Sequence, residues 1–132
     1  MTTTGLDGWY GYMRSHDRTA LWELLHPDAV FESPVVHTPQ RGRDITFKYL
    51  SSVEKVLGGP GFTYVGEWRN ATGAVLEFEN EIEGIKLNGV DIITFDAEGR
   101  ITHFKVMVRP LKAINLLHRL MGEQLAAMSK PS

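Results

Sequence analysis

The sequence predicts an α+β fold in which three helices pack on one face of an antiparallel meander, with a further helix at the C-terminus. Two observations carry this. Apolar residues recur at helical spacing up to residue 57, and at every second position over most of residues 62–109. Helices first and hairpin-linked strands afterwards define the class.

The first helix is read from Leu6, Trp9, Tyr10 and Met13, with Asp7 placed to favour its positive N-terminal end. Thr19 to Leu25 forms a second short helix, stopped at His26-Pro27 because proline disfavours helical geometry in the residue before it. A brief strand, AVFES, ends at Pro34. The third helix runs from Arg43 to Leu57, with Ile45, Tyr49, Val53 and Val56 on one face and Gly58-Gly59-Pro60 as its stop. The clusters PQRGR (39–43) and GGPG (58–61) read as loops.

Four strands follow, over 62–70, 73–83, 87–96 and 100–109. In the second, Leu76, Phe78, Asn80 and Ile82 alternate with Glu77, Glu79, Glu81 and Glu83, so one face is mostly apolar and the other acidic. His103, Lys105 and Arg109 on the last strand are expected to face that glutamate row. Asp96 to Gly99 reads as a reversing turn with its glycine at a positive φ. Pro110 opens a final helix, with Leu111, Ile114, Leu117, Met121, Leu125 and Met128 as its apolar stripe.

Composition bounds the function. The 132 residues, 42% apolar and 23% charged, fit one domain over 1–132. Fourteen basic residues against sixteen acidic, with no basic cluster, argue against nucleic acid or an anionic membrane as partner. The longest apolar run is four residues, Leu125 to Met128, and the start MTTTGLDG has neither a basic nor an apolar segment, so no span or secretory signal is expected. The lack of cysteine excludes thiolate chemistry and suits the cytoplasm. Histidines 16, 26, 37, 103 and 118 show no metal-ligand spacing, and the Gly-rich phosphate loops and the serine-hydrolase elbow are missing, so neither metal nor cofactor is expected.

Asp91 is the most informative polar residue. If Ile93 and Phe95 face the core, period two puts Asp91 there too, where an ionised carboxyl is costly unless paired. Its pKa should therefore rise, as suits a proton donor or acceptor; the other reading pairs it with Arg, His or an indole N–H and makes it structural. His37, in the loop PVVHTP, is the second candidate for proton transfer. Trp9, Tyr10, Tyr12, Tyr64 and Trp68 carry polar handles suited to an apolar pocket. The expected ligand contacts are Trp9, Met13, Phe31, Ser33, Tyr49, Trp68 and Asn80.

The strings DRTALWELLHPDAVFESPV, RGRDITFKYL and GVDIITFDAEGRITHFKVMVRP, with the helical start, resemble the nuclear transport factor 2-like superfamily over residues 5–110. That superfamily includes ketosteroid isomerases and SnoaL-like polyketide cyclases. The resemblance implies a cone-shaped roll of a curved antiparallel sheet around three helices, an apolar pocket and a homodimer associating through the sheets. It implies an isomerase-type base at position 33, where this chain has Ser33, and an oxyanion-binding tyrosine at the position of Trp9. The second oxyanion donor, a protonated aspartate, falls on Asp91 and is retained. Serine cannot abstract a proton as a carboxylate does, so steroid isomerisation by that route is not expected. The resulting expectation is a small-molecule pocket protein using Asp91 on an apolar or aromatic carbonyl compound, with isomerase, dehydratase and cyclase chemistry all open. The alternative is a noncatalytic ligand-binding or dimeric interaction module.

Overall fold

A computed structural model describes residues 2–129, with side chains from 5 to 127. In chain order it contains α1 (Thr2–Ser15), α2 (Arg18–Leu24), β1 (Leu25–Glu32), β2 (Gln40–Arg41), α3 (Arg43–Leu57), β3 (Thr63–Arg69), β4 (Gly73–Ile82), β5 (Ile85–Phe95), β6 (Ile101–Arg109) and α4 (Leu111–Ser129). The strands form one six-stranded curved sheet in the order β2-β1-β6-β5-β4-β3. The α+β class and the four helices match the expectation from sequence.

The sheet is mixed, which corrects the expected all-antiparallel arrangement. Strand β1 runs parallel to β6, with Phe31 opposite Phe104 and Glu32 opposite Lys105. The chain leaves β1 through β2 and α3 to reach the opposite edge at β3, then returns by three antiparallel steps to finish beside β1. This also moves the charges. β5 separates β6 from β4, so His103 and Lys105 pair across the other neighbour with Glu32 instead of meeting the β4 glutamates.

Other departures are local. β2 lies inside the segment read as loop, and its two residues are too few to show a period. β5 starts at Ile85 because Glu83 and Gly84 both hold positive φ, 51° and 79°, and so turn the β4–β5 hairpin in two residues. Gly99 does take a positive φ, 84°. On α4 the buried residues are Ala113, Leu116 and Leu117, whereas Leu111 is 72% exposed. Helix α4 packs against α3 and β6 through the expected stripe, with Leu117 buried and Ile114, Met121 and Leu125 half-buried, and Leu111 alone departs from it; Met128 lies outside the described side chains.

The core lies between the helices and the inner sheet face. Leu76 and Phe78 of β4, Ile93 of β5, and Phe104 and Val106 of β6 meet Leu6, Trp9, Tyr12, Leu50, Leu57 and Leu117 there. Helix α3 is pinned at two points. Arg43 donates twice to the carbonyl of Trp22, at 3.0 and 2.6 Å, with its guanidinium 4.3 Å from the Trp22 ring centre. The Thr46 hydroxyl donates to the Ala29 carbonyl of β1 at 3.0 Å. These anchors set which face of α3 looks inward.

Candidate functional site

The inner face of β5 carries one carboxyl. Asp91 is 5% exposed, opposite Leu76 on β4 and Val106 on β6, so period two has taken it into the core as expected. Tyr64 reaches it diagonally. Tyr64 lies opposite Phe78, and Phe78 lies opposite Gly89, two residues before Asp91. Gly89 matters here because a Cβ would stand 2.6 Å from Phe78 Cζ and 2.4 Å from the Met107 carbonyl oxygen. Only glycine lets the Phe78 ring lie flat against β5.

A hydrogen-bond chain ends on the carboxyl. The Trp9 indole Nε1–H of α1 donates to the Tyr64 hydroxyl at 3.0 Å, and that hydroxyl donates to Asp91 Oδ2 at 2.6 Å. Burial raises the Asp91 pKa to about 7, although the Tyr64 hydrogen bond pulls the other way. The Tyr64 phenol is pushed well above its ordinary value, first by burial and then by the neighbouring carboxyl. Near neutral pH Asp91 is thus divided between acid and carboxylate while Tyr64 stays a donor.

A narrow pocket with about 20 Å³ of free space opens over this chain, lined among others by Trp9, Met13, Val53, Glu54, Phe62 and Asp91. Its walls are rings: Trp9 sits 4.8 Å from Phe104, Phe62 stacks on Phe78 at 5.3 Å, and Tyr64 meets Phe62 edge-on at 4.9 Å. Water-poor walls strengthen every polar contact made within them. An apolar cleft with one convergent polar group is the usual form of a small-molecule site.

The structure brings Trp9, Met13 and Asp91 together at this pocket and distributes the other candidates elsewhere. Phe31 and Ser33 line a neighbouring small cavity of about 20 Å³, bounded by Leu117 and Met121 of α4 and divided from the first by Val53 and Leu57. Ser33 Oγ accepts from the Val35 and Val36 amides at 2.9 and 3.3 Å, which fixes the loop after β1. Tyr49 stacks on Phe31 at 5.3 Å. Asn80 is buried, but it donates to the Leu57 carbonyl at 2.6 Å and so satisfies the C-terminal end of α3. Trp68 is 59% exposed on the outer sheet face, over Gly66, because the register pairs it with Val75. His37 is exposed in the loop after β1 and is not brought to Asp91. Among the described residues no group of histidines and carboxylates is placed to hold a metal ion.

Two residues at the site, Tyr64 and Glu54, are not among the ligand contacts expected from sequence. Tyr64 stood out there only as one aromatic among several, and nothing in its own strand points to Asp91, since the pairing depends on the β3–β4–β5 register. Glu54 reaches the pocket from α3. Its spacing from Leu50, Val53 and Leu57 was the available signal.

This curved sheet, folded over three helices and holding a buried acid, is the nuclear transport factor 2-like architecture. The chain belongs to the SnoaL-like domain family, whose model matches residues 6–104. It is similar to the structure of a steroid delta-isomerase from Pseudomonas aeruginosa, at 36% identity and a TM-score of 0.87, covering 96% of this chain and 93% of that one. An uncharacterised protein with a cystatin-like fold from Silicibacter pomeroyi is 25% identical, with a TM-score of 0.83 over 96% of this chain and 86% of that one. A protein of unknown function from Mesorhizobium loti, 21% identical with a TM-score of 0.69 over 83% of this chain and 91% of that one, shares the fold. No match was found among curated proteins.

Proposed function

We propose that this protein binds an apolar or aromatic carbonyl compound in the Trp9–Asp91 pocket and performs acid/base chemistry of the isomerase, dehydratase or cyclase type on it, without metal or cofactor. The observation that carries the reading is the chain from Trp9 through Tyr64 to Asp91, ending under an apolar pocket. Protonated Asp91 donates to the ligand oxygen. That bond strengthens as negative charge develops on the oxygen, which is the condition for catalysis. Similarity to a protein named as a steroid delta-isomerase supports the isomerase-type reading, and Ser33, where the resemblance places a base, speaks for a different proton acceptor or a different substrate. The working form is a cytoplasmic homodimer joined through the outer sheet face, where Trp68 and Met107 stand exposed.

The test is fluorescence titration with 2-naphthol, whose ring suits the apolar walls and whose hydroxyl accepts a hydrogen bond from an acid. Wild type saturates, and its affinity falls as pH rises through 7 because Asp91 ionises and can no longer donate. Asp91→Leu loses at least about tenfold in affinity. Affinity that is flat across that pH range, or equal in the two proteins, contradicts the reading. Binding without any turnover of carbonyl substrates favours the noncatalytic module, for which the observation is that Tyr64 already satisfies Asp91 Oδ2.

A further inference from the structure

The Trp9–Asp91 pocket continues into a groove. Glu54 and Gly58 line both, and from them an open groove with about 410 Å³ of free space runs past Tyr12, His16, Arg18 and Lys55. Two local features of the chain shape it. On one side His16 and Asp17 alone join α1 to α2, and His16 takes the left-handed conformation, φ 56°, that commonly ends a helix. On the other side α3 ends in Gly58-Gly59, which sets no side chain across the opening.

The groove is charged where the pocket is apolar. Among its described lining residues one carboxylate, Glu54, stands against Arg18, Lys55 and the imidazole of His16. Glu54 Oε1 is already engaged, 3.0 Å from His16 Nδ1 and accepting from the Tyr12 hydroxyl at 3.5 Å. The helix-end carbonyls of Tyr12 and Glu54 are occupied as well, accepting from the amides of His16 and Gly58, each at 2.7 Å. Arg18 and Lys55 are exposed, and among the described residues no ion pair engages either. The Phe47 ring holds Arg18, with its guanidinium carbon 5.2 Å from the ring centre. Burial and Glu54 push the Tyr12 phenol up while Arg18 pulls it down, so the cation is felt as far in as that hydroxyl.

We infer that this groove is an anion subsite, and that the ligand is an aromatic carbonyl compound bearing a carboxylate at the end remote from Asp91. The inference rests on the proposed seating of the ligand oxygen at Asp91. The rings then lie in the pocket, and the acid passes Glu54 and Gly58 into the groove, where Arg18 and Lys55 meet it. Exposed cations add modestly to affinity, and they discriminate among ligands that share one apolar body. A carboxylate at the inner end gains nothing from them and is desolvated without a partner.

The test compares three naphthols by fluorescence titration at about pH 6, where Asp91 is mostly protonated and a ligand carboxylate is ionised. In 6-hydroxy-2-naphthoate the hydroxyl and carboxylate stand at opposite ends, in 3-hydroxy-2-naphthoate they are adjacent, and 2-naphthol has no acid. Wild type binds 6-hydroxy-2-naphthoate at least about fivefold more tightly than 2-naphthol, and 3-hydroxy-2-naphthoate more weakly than either. The fivefold ratio shrinks as salt is added and is lost when Arg18→Gln and Lys55→Gln are combined, with circular dichroism checking that the double variant folds. Equal or weaker binding of 6-hydroxy-2-naphthoate by wild type overturns the inference and leaves the Asp91 reading standing. So does a ratio that survives in the double variant or in high salt. Equal affinity for the two acids also overturns it, because general attraction by surface charge then accounts for both. Failure of wild type to bind 2-naphthol overturns the Asp91 reading and this inference together.

Discussion

The Tyr64 hydroxyl stands 2.6 Å from Asp91 Oδ2 and donates to it, while accepting from the Trp9 indole on its other side. One hydroxyl thereby ties α1 to the centre of the sheet and offsets part of the rise in pKa that burial imposes on the carboxyl.

Removing that hydroxyl has two effects. Tyr64→Phe strips Asp91 of the one contact that favours its charged form, so the Asp91 pKa rises further above 7. It also leaves the buried Trp9 N–H without its acceptor, at a cost of about 1–3 kcal/mol. Carbon-13 NMR titration of the Asp91 carboxyl measures the first effect, and urea unfolding measures the second.

Asp91 makes stability fall with pH. Its folded pKa of about 7 lies above the unfolded value, so the folded state binds the extra proton and the stabilisation is complete below the ordinary aspartate range. It is lost as pH rises from there through 7, by up to about 4 kcal/mol on an order-of-magnitude reckoning. Asp91→Asn removes this dependence. The difference in unfolding free energy between variant and wild type therefore shifts in favour of the variant from pH 5 to pH 8, as paired urea titrations read out.

Much of the fold was legible because it rests on periods. The α3 boundaries and three of the four long strands of the meander were placed within about one residue, and the inward direction of Asp91 followed from Ile93 and Phe95. What did not appear in the sequence depends on pairing between distant segments. Trp68 is an aromatic with a polar handle in either environment, and only the β3–β4 register, which sets it opposite Val75, turns it outward. Asn80 shares the inner face with Phe78, as alternation required, yet its partner is a helix-end carbonyl that no local pattern announces. The parallel seam between β1 and β6 likewise follows from the route of the chain and not from any strand's own residues.

Gly89→Ala tests the packing beneath the site. The new Cβ meets the Met107 carbonyl at 2.4 Å and Phe78 Cζ at 2.6 Å, and the backbone contact cannot be relieved by a side-chain rotation. A loss of about 1–3 kcal/mol is expected, with weakened 2-naphthol binding as Phe78 shifts. Thermal unfolding followed by circular dichroism checks the first part.

The outer face of the sheet predicts an assembly. The register aligns Trp68, Val75 and Ile92 in one row, which runs on to Lys105 and Glu32, and Glu77, Val90 and Met107 in the next, and Met107 is 49% exposed. Sedimentation should find a dimer, and Met107→Glu should shift it toward a monomer of 14.8 kDa by placing a second carboxylate in the row that already holds Glu77. A wild type that sediments as a monomer at micromolar concentration removes this prediction.

The most direct measurement is a crystal structure of the protein with 2-naphthol. The rings are expected between Trp9, Val53 and Phe62, with the ligand oxygen within hydrogen-bond distance of Asp91. A ligand seated elsewhere, or one whose oxygen points away from Asp91 in this pocket, contradicts the claim that this buried acid is the polar anchor of the site.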